Sequence, residues 1–173
     1  MKLIILNGPP GVGKSTVAAR LHEEIQSSVL VDVDGLRRAV HDYKEHREES
    51  LLMAYKLTTD AILNQLMNGQ DVIIDKAVSE GDILDTFIEA GRKHGARIYE
   101  FLLFADKATV QKRAFRRGYK PGSLLTPEKV NELWERSEIL RKQRPAAVVI
   151  DTTHLTADEA FRAVKDAVMK GQE

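Results

Sequence analysis

The stretch Leu6–Thr16, "LNGPPGVGKST", decides how the rest of the chain is read. It fits the pattern G-x-x-x-x-G-K-[ST], filled by Gly8, Gly13, Lys14 and Ser15. An apolar run, "KLIIL", precedes it and reads as a buried strand. A helical pattern begins inside it, "KSTVAARLHEEI", with Val17, Leu21 and Ile25 spaced by four. Strand, glycine loop and helix start are the context that makes the motif a P-loop, a backbone cradle for nucleotide phosphates. Pro9 and Pro10 carry no N–H groups. The donors facing the β- and γ-phosphates are therefore expected from Gly11, Val12, Gly13, Lys14, Ser15 and Thr16, with the prolines stiffening the approach. Gly11 and Gly13 permit torsions and a close approach that a Cβ would block. The helix beginning near Lys14 points its positive end at the anion. Lys14 is expected to reach the β/γ-phosphates, and the Ser15 hydroxyl to bind Mg²⁺.

The 173 residues suit one domain, 1–173, with a sizeable core. Lys+Arg and Asp+Glu both number 26, so the net charge is zero. That argues against a basic nucleic-acid footprint over the whole surface and leaves room for a local patch. There is no Cys, which excludes disulfides and thiolate metal sites. The chain runs at once into a strand, shows no signal peptide, and has no apolar run of membrane-spanning length. The expectation is a cytoplasmic protein with no membrane partner.

Working outward, five short apolar runs read as strands: "KLIIL", "VLVDV", "DVIID", "RIYEFLLF" and "AAVVID". They alternate with helical patterns, the signature of a parallel sheet covered on both faces. Ser79 with Asp82 resembles a capping box, and Gly95 is placed to end that helix. Leu51, Leu52, Tyr55, Ile62, Leu63 and Leu66 make an apolar face closed by Asn68-Gly69. Thr126-Pro127 sets an N-cap before a first-turn proline, and Thr156 with Glu159 fits a last capping box. The expected fold is α/β, a three-layer α/β/α arrangement on about five parallel strands. Ligands in such sheets sit at the carboxyl ends of the strands.

That rule singles out four carboxylates. Asp32 and Asp34 close the second run, Asp75 the third and Asp151 the fifth. Two residues apart, Asp32 and Asp34 share a face if the strand persists that far. Near a triphosphate, carboxylates are useful only with Mg²⁺ between or as acceptors of a substrate proton. Asp34 is read as the general base, with Arg37 one turn on to orient it or to bind an anionic substrate group. Asp32 is a further substrate-side candidate, or a plain strand-end residue. Asp75 holds a Walker-B-like position and is expected to order the Mg²⁺ shell. Asp151 is read as organising the turn before the last helix.

The stretch "DKATVQKRAFRRGYKPGSLL" begins as a helix and ends in a Gly/Pro loop. It concentrates Lys112, Arg113, Arg116, Arg117 and Lys120, with Arg113 and Arg117 on one helix face. A lid over about 107–126 would bring arginines to the transferring phosphoryl group and exclude water. The alternative is a solvated basic helix. The five histidines show no ligand spacing, and Trp134 reads as packing.

"GPPGVGKST", "VDVDGLRRAV", "DVIIDKAV" and "VQKRAFRRG", in this order, resemble the small P-loop kinases. The likeness is to polynucleotide 5′-hydroxyl kinases, zeta-toxin-type and chloramphenicol phosphotransferase-like kinases, and P-loop ATPases of the AAA_33 type. It implies the P-loop NTPase fold with sheet order 2-3-1-4-5, ATP and Mg²⁺, and Asp34 as base in Asp-x-x-Arg with Arg37. It also implies that Arg117, before Gly118, stabilises the transferring group, with Arg113 and the Thr152-Thr153 region near the adenine. Polynucleotide kinases often carry Asp-Thr at the third strand's end, where this chain has Asp75-Lys76. Lys76 is read as neutralising a phosphate or substrate carboxylate, or as an exposed loop lysine. Three functions follow: an ATP:alcohol phosphotransferase acting on a small molecule, a polynucleotide 5′-hydroxyl kinase, or a nucleotide-dependent switch.

Overall fold

The computed structural model of the chain describes residues 1–77, 80–119 and 124–171. Five parallel strands form one sheet: β1 (Lys2–Asn7), β2 (Ser28–Asp32), β3 (Asp71–Asp75), β4 (Arg97–Phe104) and β5 (Val148–Asp151), in the order β2-β3-β1-β4-β5. The connections are α1 (Lys14–Glu24), α2 (Val33–Arg38), α3 (Arg47–Met67), α4 (Gly81–Lys93), α5 (Lys107–Arg117) and α6 (Pro127–Gln143), with α7 (Ala157–Lys170) closing the chain.

Side chains alternate across each strand, and the two faces of the sheet carry separate cores. Leu3, Ile5, Val72 and Ile74 pack with α3 and α4 through Ala54, Ile62, Leu84 and Phe87. Ile4, Leu6, Ile73 and Phe101 pack with α1 and α7 through Val17, Leu21, Phe161 and Val164. The inner strands are buried on both faces and so read as unbroken Val/Ile/Leu runs. β5, on the edge, departs from the expectation of full cover: Val148 and Val149 are exposed.

The caps explain several boundaries. The Thr126 hydroxyl accepts from the Lys129 N–H before Pro127, and Thr156 and Glu159 make a complete capping box. Other local expectations need correction. Leu52 points to solvent, and the inner face of α3 is instead completed by Ser50, Ala54 and Thr58. α4 is preceded by Glu80, which makes no side-chain cap bond; the Ser79 cap lies outside the described residues. Lys120 and part of the expected lid also lie outside them. Asp34 does not extend β2. The strand stops at Asp32, and Asp34 stands in the first turn of α2. It therefore shares no strand face with Asp32.

Candidate active site

The glycine loop joins β1 to α1 at the carboxyl end of the sheet. Gly8 is obligatory there: a Cβ would lie 2.0 Å from the Leu103 carbonyl oxygen, and φ is +139°. Gly13 is the N-cap of α1 with φ +96°, a left-handed torsion that disfavours side chains. No side chain caps α1 and no acidic residue occupies its first turn. The helix start thus offers its amides, and its positive end, to an anion. Pro9 has a role that its missing N–H hid. Its carbonyl accepts a 2.8 Å hydrogen bond from the Lys14 ammonium.

Lys14 is buried. Burial pushes its ammonium down to about 8, while the Asp75 and Asp34 carboxylates pull the other way. Lys76 and Arg117 add positive charge to the same surroundings. Asp75 stands at the end of β3, with the Lys14 ammonium and the Ser15 hydroxyl both favouring its ionised form. Burial raises its carboxyl above the ordinary range against the pull of Lys14 and Ser15, with Asp32 and Asp34 adding to the rise. Ser15 and Asp75 together are hard oxygen donors beside a phosphate cradle, which fits Mg²⁺. Among the described residues no group of three His, Cys, Asp or Glu could hold a metal by itself.

Across from Lys14, Asp34 accepts a hydrogen bond from the Lys76 ammonium. Partial burial would raise the Asp34 carboxyl, but Lys76, Lys14 and Arg38 hold it below the ordinary carboxylate range. The Asp34 side chain is 53% exposed, and that of Lys76 only 9%. Lys76 is therefore no exposed loop lysine. Arg37 does not bond Asp34. Its Nε donates to Ser50 Oγ at 3.1 Å and its Nη2 to the Arg47 carbonyl at 2.6 Å, tying α2 to α3. Asp32 accepts from Arg38 at 3.0 Å on the surface.

Arg113 bridges the loop after β5, donating to Thr152 Oγ1 at 3.2 Å, to the Thr152 carbonyl at 2.8 Å and to the Thr153 carbonyl at 3.4 Å. A cavity of about 250 Å³ lies here, lined by Gly11, Gly13, Val17, Arg113, Thr152 and Leu155. The Thr153 hydroxyl points elsewhere and accepts from the Asp106 N–H. Arg117, the last residue of α5, is exposed. Asp151 accepts from the Thr153 N–H and shapes the turn. Trp134 donates to the Ala105 carbonyl and stacks near Phe104, a packing role.

Sequence reasoning missed one group. Tyr55, counted only as apolar face, donates from its hydroxyl to Glu80 at 3.4 Å. Arg136 of α6 lies 3.5 Å from the same carboxylate. Burial pushes the Tyr55 phenol up, with Glu80 and then Asp34 adding to it. The available signal was chemical: a buried tyrosine needs a partner for its hydroxyl.

A glycine loop capped by a lysine, a carboxylate at the β3 end and the order 2-3-1-4-5 define a P-loop NTPase fold of the kinase type. Residues 3–140 match AAA_33, an AAA domain, and the chain belongs to that family. It is 40% identical over 90 residues to an adenylate kinase of Mesorhizobium japonicum, covering 50% of this chain and 43% of the relative. The chain thus spans less than half the length of that relative. In structure it resembles a tunicamycin resistance protein of Deinococcus radiodurans (TM-score 0.67, 20% identity, covering 98% of this chain and 96% of the other). It also resembles a gluconokinase of Sinorhizobium meliloti (TM-score 0.70, 17% identity, 98% and 92% covered). No helix among the described residues is long and apolar enough to cross a membrane.

Proposed function

We propose that the chain is an ATP-dependent phosphotransferase that moves a γ-phosphoryl group to the hydroxyl of a small molecule, with 1–173 acting as one kinase domain. Adenine occupies the cavity between the P-loop, Arg113 and Thr152. The amides from Gly11 to Thr16 and the Lys14 ammonium hold the β- and γ-phosphates. Ser15 would hold Mg²⁺ with Asp75 in support, and the ion would supply charge neutralisation for the phosphates. Asp34 accepts the proton of the acceptor hydroxyl as that oxygen bonds to the γ-phosphorus and the bond from this phosphorus to the β-phosphate oxygen breaks, releasing ADP. Arg117, at the tip of the 107–126 lid, offsets charge on the transferring group.

The observation that carries this reading is the Asp34 carboxylate, half exposed and bonded by the Lys76 ammonium at the first turn of α2. A hydroxyl approaching there finds a proton acceptor. A phosphate acceptor would bring two more negative charges against a carboxylate, and two nearby cations are already paired with carboxylates, Lys76 with Asp34 and Arg38 with Asp32.

The kinship with an adenylate kinase supports a second reading, a nucleoside monophosphate as acceptor. A 5′-hydroxyl oligonucleotide is a third candidate, through the exposed Lys112 and Arg116 of α5. ADP release from Mg-ATP, screened against polyols, amino alcohols, nucleosides, AMP and a 5′-hydroxyl oligonucleotide, separates them. A rise with a neutral hydroxyl compound is expected. A rise with AMP alone, or with none of the compounds, contradicts the alcohol acceptor.

A further inference from the structure

The β3 end carries a residue whose placement exceeds what the P-loop requires. β2 and β3 run in register with Asp32 opposite Asp75, so Lys76 stands one step beyond the last ladder pair. Its backbone is fixed there, because its N–H donates to the Leu6 carbonyl of β1 at 3.3 Å. Its side chain is buried beneath α2, and its ammonium meets Oδ1 of Asp34. Among the described residues Lys76 is the hydrogen-bond partner of that carboxylate, which otherwise sits on a six-residue helix with half its surface in water. A buried ammonium taken from its partner would lose several kcal/mol of compensation. An acceptor anion would have to break this pair to use Lys76, whereas an acceptor hydroxyl would not.

We propose that Lys76 is a positioning residue: it holds one oxygen of Asp34 from below and so turns the other toward the acceptor hydroxyl. The proposal rests on reading Asp34 as the proton acceptor. Lys76 itself touches neither nucleotide nor acceptor and transfers no proton. It fixes the carboxylate's rotation and places a compensating charge beneath a group that must stay ionised beside a polyphosphate.

The test uses the full chain with Mg-ATP and water as the phosphoryl acceptor, so no cognate acceptor is needed. Lys76→Met is expected to lower kcat for ATP hydrolysis about 10- to 100-fold, the scale of a misplaced catalytic group, with KM for ATP nearly unchanged. Lys76→Arg is expected to restore most of the rate. Asp34→Asn combined with Lys76→Met should be no slower than Asp34→Asn alone, because both act through one carboxylate. Additive losses, or a raised KM with unchanged kcat, overturn the proposal. If Asp34→Asn slows turnover and Lys76→Met does not, Lys76 loses its role and Asp34 keeps its own. An unaffected Asp34→Asn removes both. Crystals of Lys76→Met give a readout independent of rate, and Lys76→Gln serves if Met does not fold. The Asp34 carboxylate is expected to rotate from its present direction, and an unchanged rotamer contradicts the proposal.

Discussion

On the P-loop side of the cleft the walls are mostly backbone: Gly8 pressed under the Leu103 carbonyl, Gly13 turning α1 outward, and Lys14 anchored on the Pro9 carbonyl. On the β2–β3 side they are side chains holding one another: Lys76 on Asp34, Ser50 on Arg37, Glu80 on Tyr55. Nucleotide phosphates are the same in every substrate, and a rigid main-chain cradle serves them all. An acceptor has its own shape, and side-chain pairs can be exchanged without rebuilding the sheet. The two regions should therefore fail differently when altered. The first should lose its fold or its grip, and the second should lose chemistry while keeping ATP.

The largest effect is expected at Gly8. Gly8→Ala sets a methyl against backbone at a positive φ, a combination of overpacking and strain of about 3 kcal/mol or more. Thermal unfolding should show a fall of many degrees, and a variant melting like the wild type would mean the cradle is soft. Asp34→Asn is the matched change across the cleft. Phosphoryl transfer should fall ~10²–10⁴-fold with KM for ATP nearly unchanged, and the melting temperature should drop because the buried Lys76 loses its charged partner; a large rise in KM would erase the distinction between the halves. Arg113→Ala removes a guanidinium with three contacts to the loop after β5. Charged hydrogen bonds contribute about 1.5–3 kcal/mol each, so KM for ATP should rise roughly tenfold or more while turnover at saturation holds. Thr156 lines the same cavity as Arg113; Thr156→Ala should remove about 1 kcal/mol of stability by losing the α7 cap, with a smaller effect on KM for ATP than Arg113→Ala. The same cap gives a pH dependence. Hydrogen bonds from the Thr156 backbone and then its hydroxyl hold the Glu159 carboxyl below its usual value. Its small contribution is present above the unfolded-state value and is lost as pH falls through the lowered one, a slope that Glu159→Gln should flatten.

The same contrast sets what could be read from the amino-acid order. The P-loop lies within nine residues, and its glycines answer to local torsions, so the motif and its strand–helix setting were visible. The caps at Thr126 and Thr156 were visible for the same reason: donor and acceptor are three residues apart. Strand identities followed from burial on both faces, which leaves only Val, Ile and Leu along the middle of β1 and β3. The pairing of Asp34 with Lys76 spans 42 positions and exists only because β2 lies beside β3 in one register. No local pattern encodes that neighbour relation. Asp34 itself was placed one element too early, since "VDVD" alternates like a strand although the chain turns into α2 after Asp32. Arg144 shows the limit most clearly. It binds Glu100 of β4 and Asp85 of α4 at the far end of α6, and nothing near it in sequence announces either partner.

The most direct measurement is calorimetric titration of Mg-ATP into the wild-type chain and into Lys14→Ala. Saturable one-to-one binding by the wild type is expected, weakened ~10²-fold or more once the ammonium is removed from the γ-phosphate site. No binding by the wild type, or equal affinity in the two proteins, would contradict a phosphate cradle built on Gly8, Gly13 and Lys14.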